Sequence, residues 1–343
     1  MRAIVKPAPA SGIELQEVDE PHPDATEVLL RIEAASVCGT DLGLAHWTRS
    51  AQDFEPNLPL ILGHECAGII VGLGGTDHNW SIGQRVAVES HFFCGRCAAC
   101  TAGAAHNCLR MRIPGITAPG AFAEYMTAPA SACFALREGV EPAVGALYEP
   151  AGVAAHALEQ AGDVRDKMVV ITGAGPVGLF LIDLLRAAGA GPIAVVEPGL
   201  ERRGRAERLQ AKGFDTGDIE DLIAYCREHG TVAGADIAFE ASGAVRAYTT
   251  IFEVLGRDGT LVSVGHPSRP LEIDVSRDIN KRAITWKGVF GRRIWSSWEY
   301  LDELVTSGRI DLVSHVELEL GLEELPDRLD EVASLPGKAI VRP

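Results

Sequence analysis

The chain has no long hydrophobic run. A membrane helix needs roughly 18 uninterrupted apolar residues, and the longest candidate, Met168 to Ile182, is broken by three glycines and a proline before it meets Asp183. Met1 to Glu20 also lacks an apolar core of signal-peptide length, so the sequence predicts a cytoplasmic protein. Positive charge is scarce: 31 Lys and Arg face 47 Asp and Glu, a formal net charge of -16. Bulk electrostatics therefore works against nucleic acid and against an anionic membrane as partners. The composition of a disordered chain is missing too, because 47% of the residues are hydrophobic. Eight cysteines in a reducing compartment favour metal ligation over disulfides.

What is present divides in two. At 343 residues the chain exceeds the ~250 to 300 residues at which a single core stops growing, so two domains are expected. Up to about residue 150 short strand-like runs alternate with glycine and proline, as in Glu27 to Glu33, Leu60 to Leu62 and Ala67 to Gly72, and predict a β-rich domain. From Asp166 the pattern becomes strand then helix, repeated. Further strands are expected at Ile193 to Val196, Ala235 to Glu240, Thr260 to Val264 and Ile284 to Val289, with helices at Leu179 to Ala188 and Ala244 to Leu255. That alternation predicts a doubly wound parallel sheet over 151–289. Trp295 to Ser307 reads as an amphipathic helix, and Lys338 to Arg342 as a strand able to return to the first domain.

The strongest motif is Cys94-Gly95-Arg96-Cys97-Ala98-Ala99-Cys100 with Cys108 beyond it. Thiolates spaced by two residues converge on one ion, and four of them close a tetrahedral zinc site. Such a site leaves no open position for substrate, so it predicts a structural rather than a catalytic metal. Cys66, Cys133 and Cys226 show no ligand spacing and read as core thiols.

A second motif is Gly173-Ala174-Gly175-Pro176-Val177-Gly178, placed directly after the apolar strand Met168 to Thr172 and opening a helix. In that context the glycines let the backbone approach a pyrophosphate, and the helix N-terminus supplies free N–H groups and partial positive charge. Glu197 ends the next strand, nineteen residues beyond Gly178. A carboxylate there accepts from both ribose hydroxyls of NAD and repels a 2′-phosphate, so NAD is expected. Arg202 and Arg203 just beyond keep NADP as an alternative. Candidate cofactor residues are thus Gly173, Gly175, Pro176, Val177, Gly178, Glu197 and Arg202.

Around the thiol lobe lie Cys38-Gly39-Thr40-Asp41, Gly63-His64-Glu65 and Tyr148-Glu149-Pro150. A thiolate, an imidazole and a carboxylate from separate loops form the mixed ligand set of a catalytic zinc. Together with Gly120 to Tyr125 and the glycine fingerprint, these motifs resemble the zinc-dependent medium-chain alcohol dehydrogenases, in order and over essentially the whole chain. Within that superfamily the chain is most similar to the L-threonine 3-dehydrogenases and their sorbitol-type polyol relatives, through Ser90 to Cys94, Gly288 to Arg292, Trp47 and Trp298.

The resemblance implies a GroES-like β-rich catalytic domain from 1–150 and 290–343, and a Rossmann NAD-binding domain over 151–289. It implies two zinc ions per subunit: a structural one on the four thiols, and a catalytic one on Cys38, His64 and Glu65 with Glu149 as an exchangeable fourth ligand. Thr40 would relay the proton of the reacting hydroxyl, and His91 would lie near the substrate. The implied reaction moves hydride from a secondary alcohol with a neighbouring amino or hydroxyl group to NAD, in a homotetramer or homodimer. L-threonine is the first substrate expected and a polyol, sugar alcohol or cyclitol the alternative; a non-enzymatic NAD-binding protein is a further one. One departure stands out. The family pattern continues to a histidine where this chain has Gly43, so the end of the proton path differs. His46 is a substitute only if the loop is rearranged, and otherwise a solvated surface residue. Arg292 and Arg293 suit either a carboxylate or phosphate clamp or an inter-subunit ion pair.

Overall fold

Val169–Thr172 and Ile193–Val196 are buried at every position. Unbroken apolar strands of this kind need cover on both faces, which only a helix-flanked parallel sheet supplies. The computed structural model, which describes residues 1–76, 78–267 and 269–343, shows that sheet. Its six strands run Lys212–Phe214, Ile193–Val196, Val169–Thr172, Ala235–Glu240, Leu255–Ser263 and Thr285–Gly288, every neighbouring pair parallel. Sequence order reverses between Val169–Thr172 and Ala235–Glu240, the switch point at whose carboxyl ends open sheets bind ligands.

The helix Pro176–Ala187 leaves that point and buries Leu179, Leu181, Ile182, Leu184 and Leu185. It begins a turn earlier than hydrophobicity alone indicates, because Pro176 has its φ preset for the first helical turn and lacks an N–H that would go unpaired there. Gly178 is required: a Cβ at that position would lie 2.1 Å from the Gly173 carbonyl oxygen.

Chain contacts divide the molecule into two units, one of Met1–Pro150, Arg293–Asp302 and Asp311–Pro343, the other of Ala151–Arg292 and Glu303–Ile310. The first is built on a seven-stranded sheet in which Val316–Gly321, Lys338–Arg342, Glu27–Ser36, Glu65–Leu73, Arg85–Val88 and Cys133–Ala135 are successive neighbours, and Tyr125–Pro129 also pairs with Glu27–Ser36. Most pairs are antiparallel, with a parallel one at the C-terminal edge. Alternation along Glu27–Ser36 places Val28, Leu30 and Ile32 in a core shared with Ile70, Val86, Val88 and Phe122. The last strand returns to the first unit, where Ile340 pairs with Ser36 and Val341 with Ala35. Among the described residues no helix is long and apolar enough to cross a membrane.

Candidate metal and dinucleotide sites

Cys94, Cys97, Cys100 and Cys108 present sulfurs that lie within 4.8 Å of one another. Backbone N–H groups already point at them: Cys94 and Arg110 donate to the Cys108 sulfur at 3.3 Å each, and Leu109 to the Cys97 sulfur at 3.4 Å. The Arg96 backbone N–H holds the Cys94 thiol down to about 6. Cys100, by contrast, is pushed up to about 11 by burial. Amide donors aimed at sulfur favour thiolates, and four convergent thiolates fit a tetrahedral zinc ion. Cys66, Cys133 and Cys226 are all buried, and burial raises each thiol well above its ordinary value. They sit in the core as unreactive thiols.

A second donor group forms in the same unit: Cys38, His64 and Glu65, one ligand atom from each within 4.8 Å of the others. Cys38 caps the helix Gly39–His46, and His64 and Glu65 enter the strand Glu65–Leu73. Buried Asp41 ties the two segments together. Its Oδ2 accepts from the Cys38 N–H at 2.9 Å, and its Oδ1 accepts from the Gly63 N–H at 3.2 Å and lies 3.3 Å from His64 Nδ1. That approach is an ion-pair distance rather than a hydrogen bond, since His64 Nδ1 has no hydrogen-bond partner among the described residues; the carboxylate beside that nitrogen leaves the other for a metal. Burial lowers the His64 pKa, but Asp41 and Cys38 more than reverse this and set it well above the ordinary value. An incoming ion would displace that proton. Gly63 makes the turn possible, with φ +93 and Phe122 where a Cβ would stand.

Glu65 is anchored from the far end of the sequence. Its Oε2 accepts from Lys338 Nζ at 2.5 Å and from Ser36 Oγ, and Lys338 also donates to the Val37 carbonyl at 2.7 Å. Lys338 is 3% exposed and Glu65 1%. Burial lowers the lysine pKa, and the charges of Glu65 and Cys38 more than offset it, leaving the value raised. Sequence reasoning missed Lys338 and Ser36 as parts of this group and left Asp41 without a role. The available signal was a lysine opening a strand whose next three residues are apolar.

Other expected residues do not join the donor group. Glu149 is buried in the helix Pro142–Ala161 and accepts from Ser90 Oγ at 2.6 Å. His91 is buried, its backbone N–H bound to Glu89 and its Nδ1 3.1 Å from the His106 carbonyl. Thr40 is half-buried in the first turn of Gly39–His46. Gly43 lies on that same helix where a Cβ would stand 3.1 Å from Thr48 Oγ1 and 3.5 Å from the Ala51 Cβ, so the short helix Arg49–Gln52 occupies the side a histidine would take. His46 is exposed, 3.9 Å from Asp330. Arg292 is buried against Gly152, a Cβ on which would stand 2.7 Å from the arginine Cγ.

In the second unit a cavity of 520 Å3 opens at the switch point, lined by Gly173, Gly175, Glu197, Arg202, Ser242 and Arg246 among others. Glu197 is buried at its wall; its Oε2 accepts from the Ala174 N–H at 2.9 Å and its Oε1 from the Gly199 N–H at 2.8 Å. Pro176, Val177 and Gly178 form the helix turn behind the cavity rather than its lining. Arg202 lines it, whereas Arg203 turns away to the Glu197 carbonyl and to Asp215 at 3.0 Å. A glycine turn, a helix N-terminus and an acidic residue on one cavity suit a dinucleotide.

Comparison with known proteins agrees with this geometry. Residues 24–138 match the alcohol dehydrogenase GroES-like domain and residues 176–307 the zinc-binding dehydrogenase domain. The L-threonine 3-dehydrogenase of Pyrococcus abyssi is 36% identical over 313 residues, 91% of this chain and 89% of that one. A zinc-binding dehydrogenase of Sinorhizobium meliloti bound to NADP superposes with a TM-score of 0.90 at 27% identity, covering 100% of this chain and 99% of its own. The 2R,3R-butanediol dehydrogenase of Bacillus subtilis gives 0.88 at 25% identity, over 100% and 99%. The chain belongs to the zinc-binding alcohol dehydrogenase family, and is an NAD-dependent oxidoreductase acting on an alcohol.

Proposed function

We propose that this enzyme oxidises the secondary alcohol of L-threonine, or of a close 3-hydroxy amino acid, with NAD as acceptor. The observation that carries the reading is the mixed donor group of Cys38, His64 and Glu65, held from behind by Asp41 and Lys338. Its thiolate, imidazole and carboxylate chemistry fits zinc, and Glu149, which accepts from Ser90 and stands outside the donor group, would be the exchangeable fourth ligand. Zinc bound there supplies Lewis acidity, which lowers the pKa of a neighbouring hydroxyl toward neutrality. The chain's own contribution is positional. Asp41 keeps one face of His64 toward the ion, Lys338 and Ser36 fix one oxygen of Glu65, and Thr40 takes up the hydroxyl proton and passes it outward. His91 lies near the substrate in this reading. Net turnover transfers a hydride from the carbinol carbon to NAD and a proton to solvent. Gly173, Gly175 and Glu197, with Pro176, Val177 and Gly178 behind them, hold the dinucleotide; Arg202 at the rim is the residue through which NADP would be accepted.

A second reading is oxidation of a vicinal diol, polyol or cyclitol: with Gly43 where the family pattern has a histidine, a side chain that would help shape the pocket for L-threonine is missing. The test is NADH formation by the zinc-replete enzyme across L-threonine, other 3-hydroxy amino acids, vicinal diols, sorbitol and inositols, run with NAD and with NADP. Preference for L-threonine supports the first reading; preference for a diol or cyclitol replaces it with the second. The protein is taken to act in the cytoplasm as a homodimer or homotetramer, which light scattering decides between.

A further inference from the structure

One buried acid has no part in the site so far. Glu240 ends the strand Ala235–Glu240 and is 0% exposed. Its Oε1 accepts three hydrogen bonds, from the Ser242 N–H at 2.8 Å, the Ser242 hydroxyl at 2.5 Å and the Gly243 N–H at 3.0 Å. Its Oε2 is buried without a partner among the described residues, facing Gly265, where a Cβ would lie 2.7 Å away. A carboxylate taken out of water is costly unless its lone pairs are used. A half-satisfied one at the end of a central strand calls for a compensating role.

The turn that Glu240 holds supplies that role. Ala241, Ser242 and Ala244 line the 520 Å3 cavity. Ser242 also abuts the first glycine of the fingerprint: a Cβ at Gly173, whose φ is +96, would lie 2.9 Å from the Ser242 Cβ and 3.0 Å from its nitrogen. On the other side of the same turn the next residue, Ala174, donates to Glu197. The strands carrying Glu197 and Glu240 flank the strand that leads into the fingerprint. The turn Gly173–Ala174 is thus braced from both sides, through a direct hydrogen bond to one carboxylate and through a serine held by the other.

We infer that Glu240 is a positioning residue for dinucleotide binding: by pinning Ser242 and Gly243 it fixes the fingerprint backbone in the shape that receives the pyrophosphate. The inference rests on the assignment of this cavity to the dinucleotide, and predicts that geometry rather than charge at Glu240 sets affinity. Glu240→Gln keeps an acceptor oxygen toward Ser242 and Gly243 and removes the charge. Glu240→Asp keeps the charge and withdraws the acceptor by one methylene. Fluorescence titration of NADH should find the Gln variant within about twofold of the parent and the Asp variant weakened about tenfold, since the hydrogen bonds that pin Ser242 and Gly243 are lost when the acceptor is withdrawn. The KM for NAD should rise in parallel in the Asp variant while kcat stays within about twofold. A merely structural acid would lower the melting temperature of both variants and leave NADH affinity alone. An Asp variant that binds as the parent does, or a Gln variant as weak as Asp, overturns the proposal. Gly175→Val is the control, because nothing lies within 4 Å of a Cβ there and the side chain would fill the cavity. Unimpaired NADH binding in that variant overturns the cavity assignment itself, and the role of Glu240 with it.

Discussion

Replacing Lys338 with methionine removes the cation from a buried pair while keeping most of the side-chain volume. Glu65 then keeps its Ser36 hydroxyl but loses an ammonium at 2.5 Å, and the Val37 carbonyl loses its 2.7 Å donor. Both members of the pair are almost wholly inaccessible, so water cannot replace the lost charge. Removing one partner of such a pair costs about 3–5 kcal/mol. At about 2–4 °C per kcal/mol for a unit of this size, the melting temperature should fall by roughly 6–20 °C. A bound divalent ion offsets part of the orphaned charge, so the drop should be larger after chelation than in zinc-replete protein. The double variant Lys338→Met with Glu65→Gln removes the uncompensated charge and should recover at least half of the loss. Scanning calorimetry on parent, single and double variants, each with zinc and with chelator, reads all of this. A single variant melting within about 2 °C of the parent, or a double variant no better than the single, would mean that the burial of Glu65 does not depend on Lys338.

Cys100→Ser should release one of the two zinc ions, measured by metal analysis, and should lower the melting temperature without changing NADH affinity, because the thiol lobe is a folding element. Leu181→Ala, at a fully buried position on the helix behind the fingerprint, should cost about 2–5 kcal/mol in denaturant unfolding. Glu197→Ala frees the Ala174 and Gly199 amides and removes the proposed ribose acceptor, so NADH should bind about tenfold more weakly while NADPH loses less; equal losses for both would count against Glu197 as the selecting residue.

What the sequence reveals of this molecule depends on whether the signal is local. The four thiols are packed into fifteen residues, and their spacing alone brings them together. The fingerprint is readable because a strand, a glycine turn and a helix follow one another without a break. Cys38 and His64, by contrast, are distant in sequence, and only resemblance to a family pairs them. In the fold the gap is closed by the pairing of Glu27–Ser36 with Glu65–Leu73, in which Ser36 and Glu65 stand opposite each other. Lys338 is hidden for the same reason in stronger form. It reaches Glu65 across 273 positions of chain, and only the return of the last strand to Glu27–Ser36 makes the contact. The role of Glu240 is likewise concealed, because an acid at the end of an apolar strand carries no mark of which turn it will hold.

In the proposed function, Cys38 and His64 hold a catalytic zinc that serves alcohol oxidation by NAD. Initial rates of NADH formation from L-threonine by zinc-replete parent and by Cys38→Ser, with NADH affinity determined on both, test that role. The variant should lose more than the roughly 10–100-fold that an outer-shell change costs, while NADH affinity stays unchanged. A Cys38→Ser enzyme that retains a tenth or more of the parent rate would contradict that role.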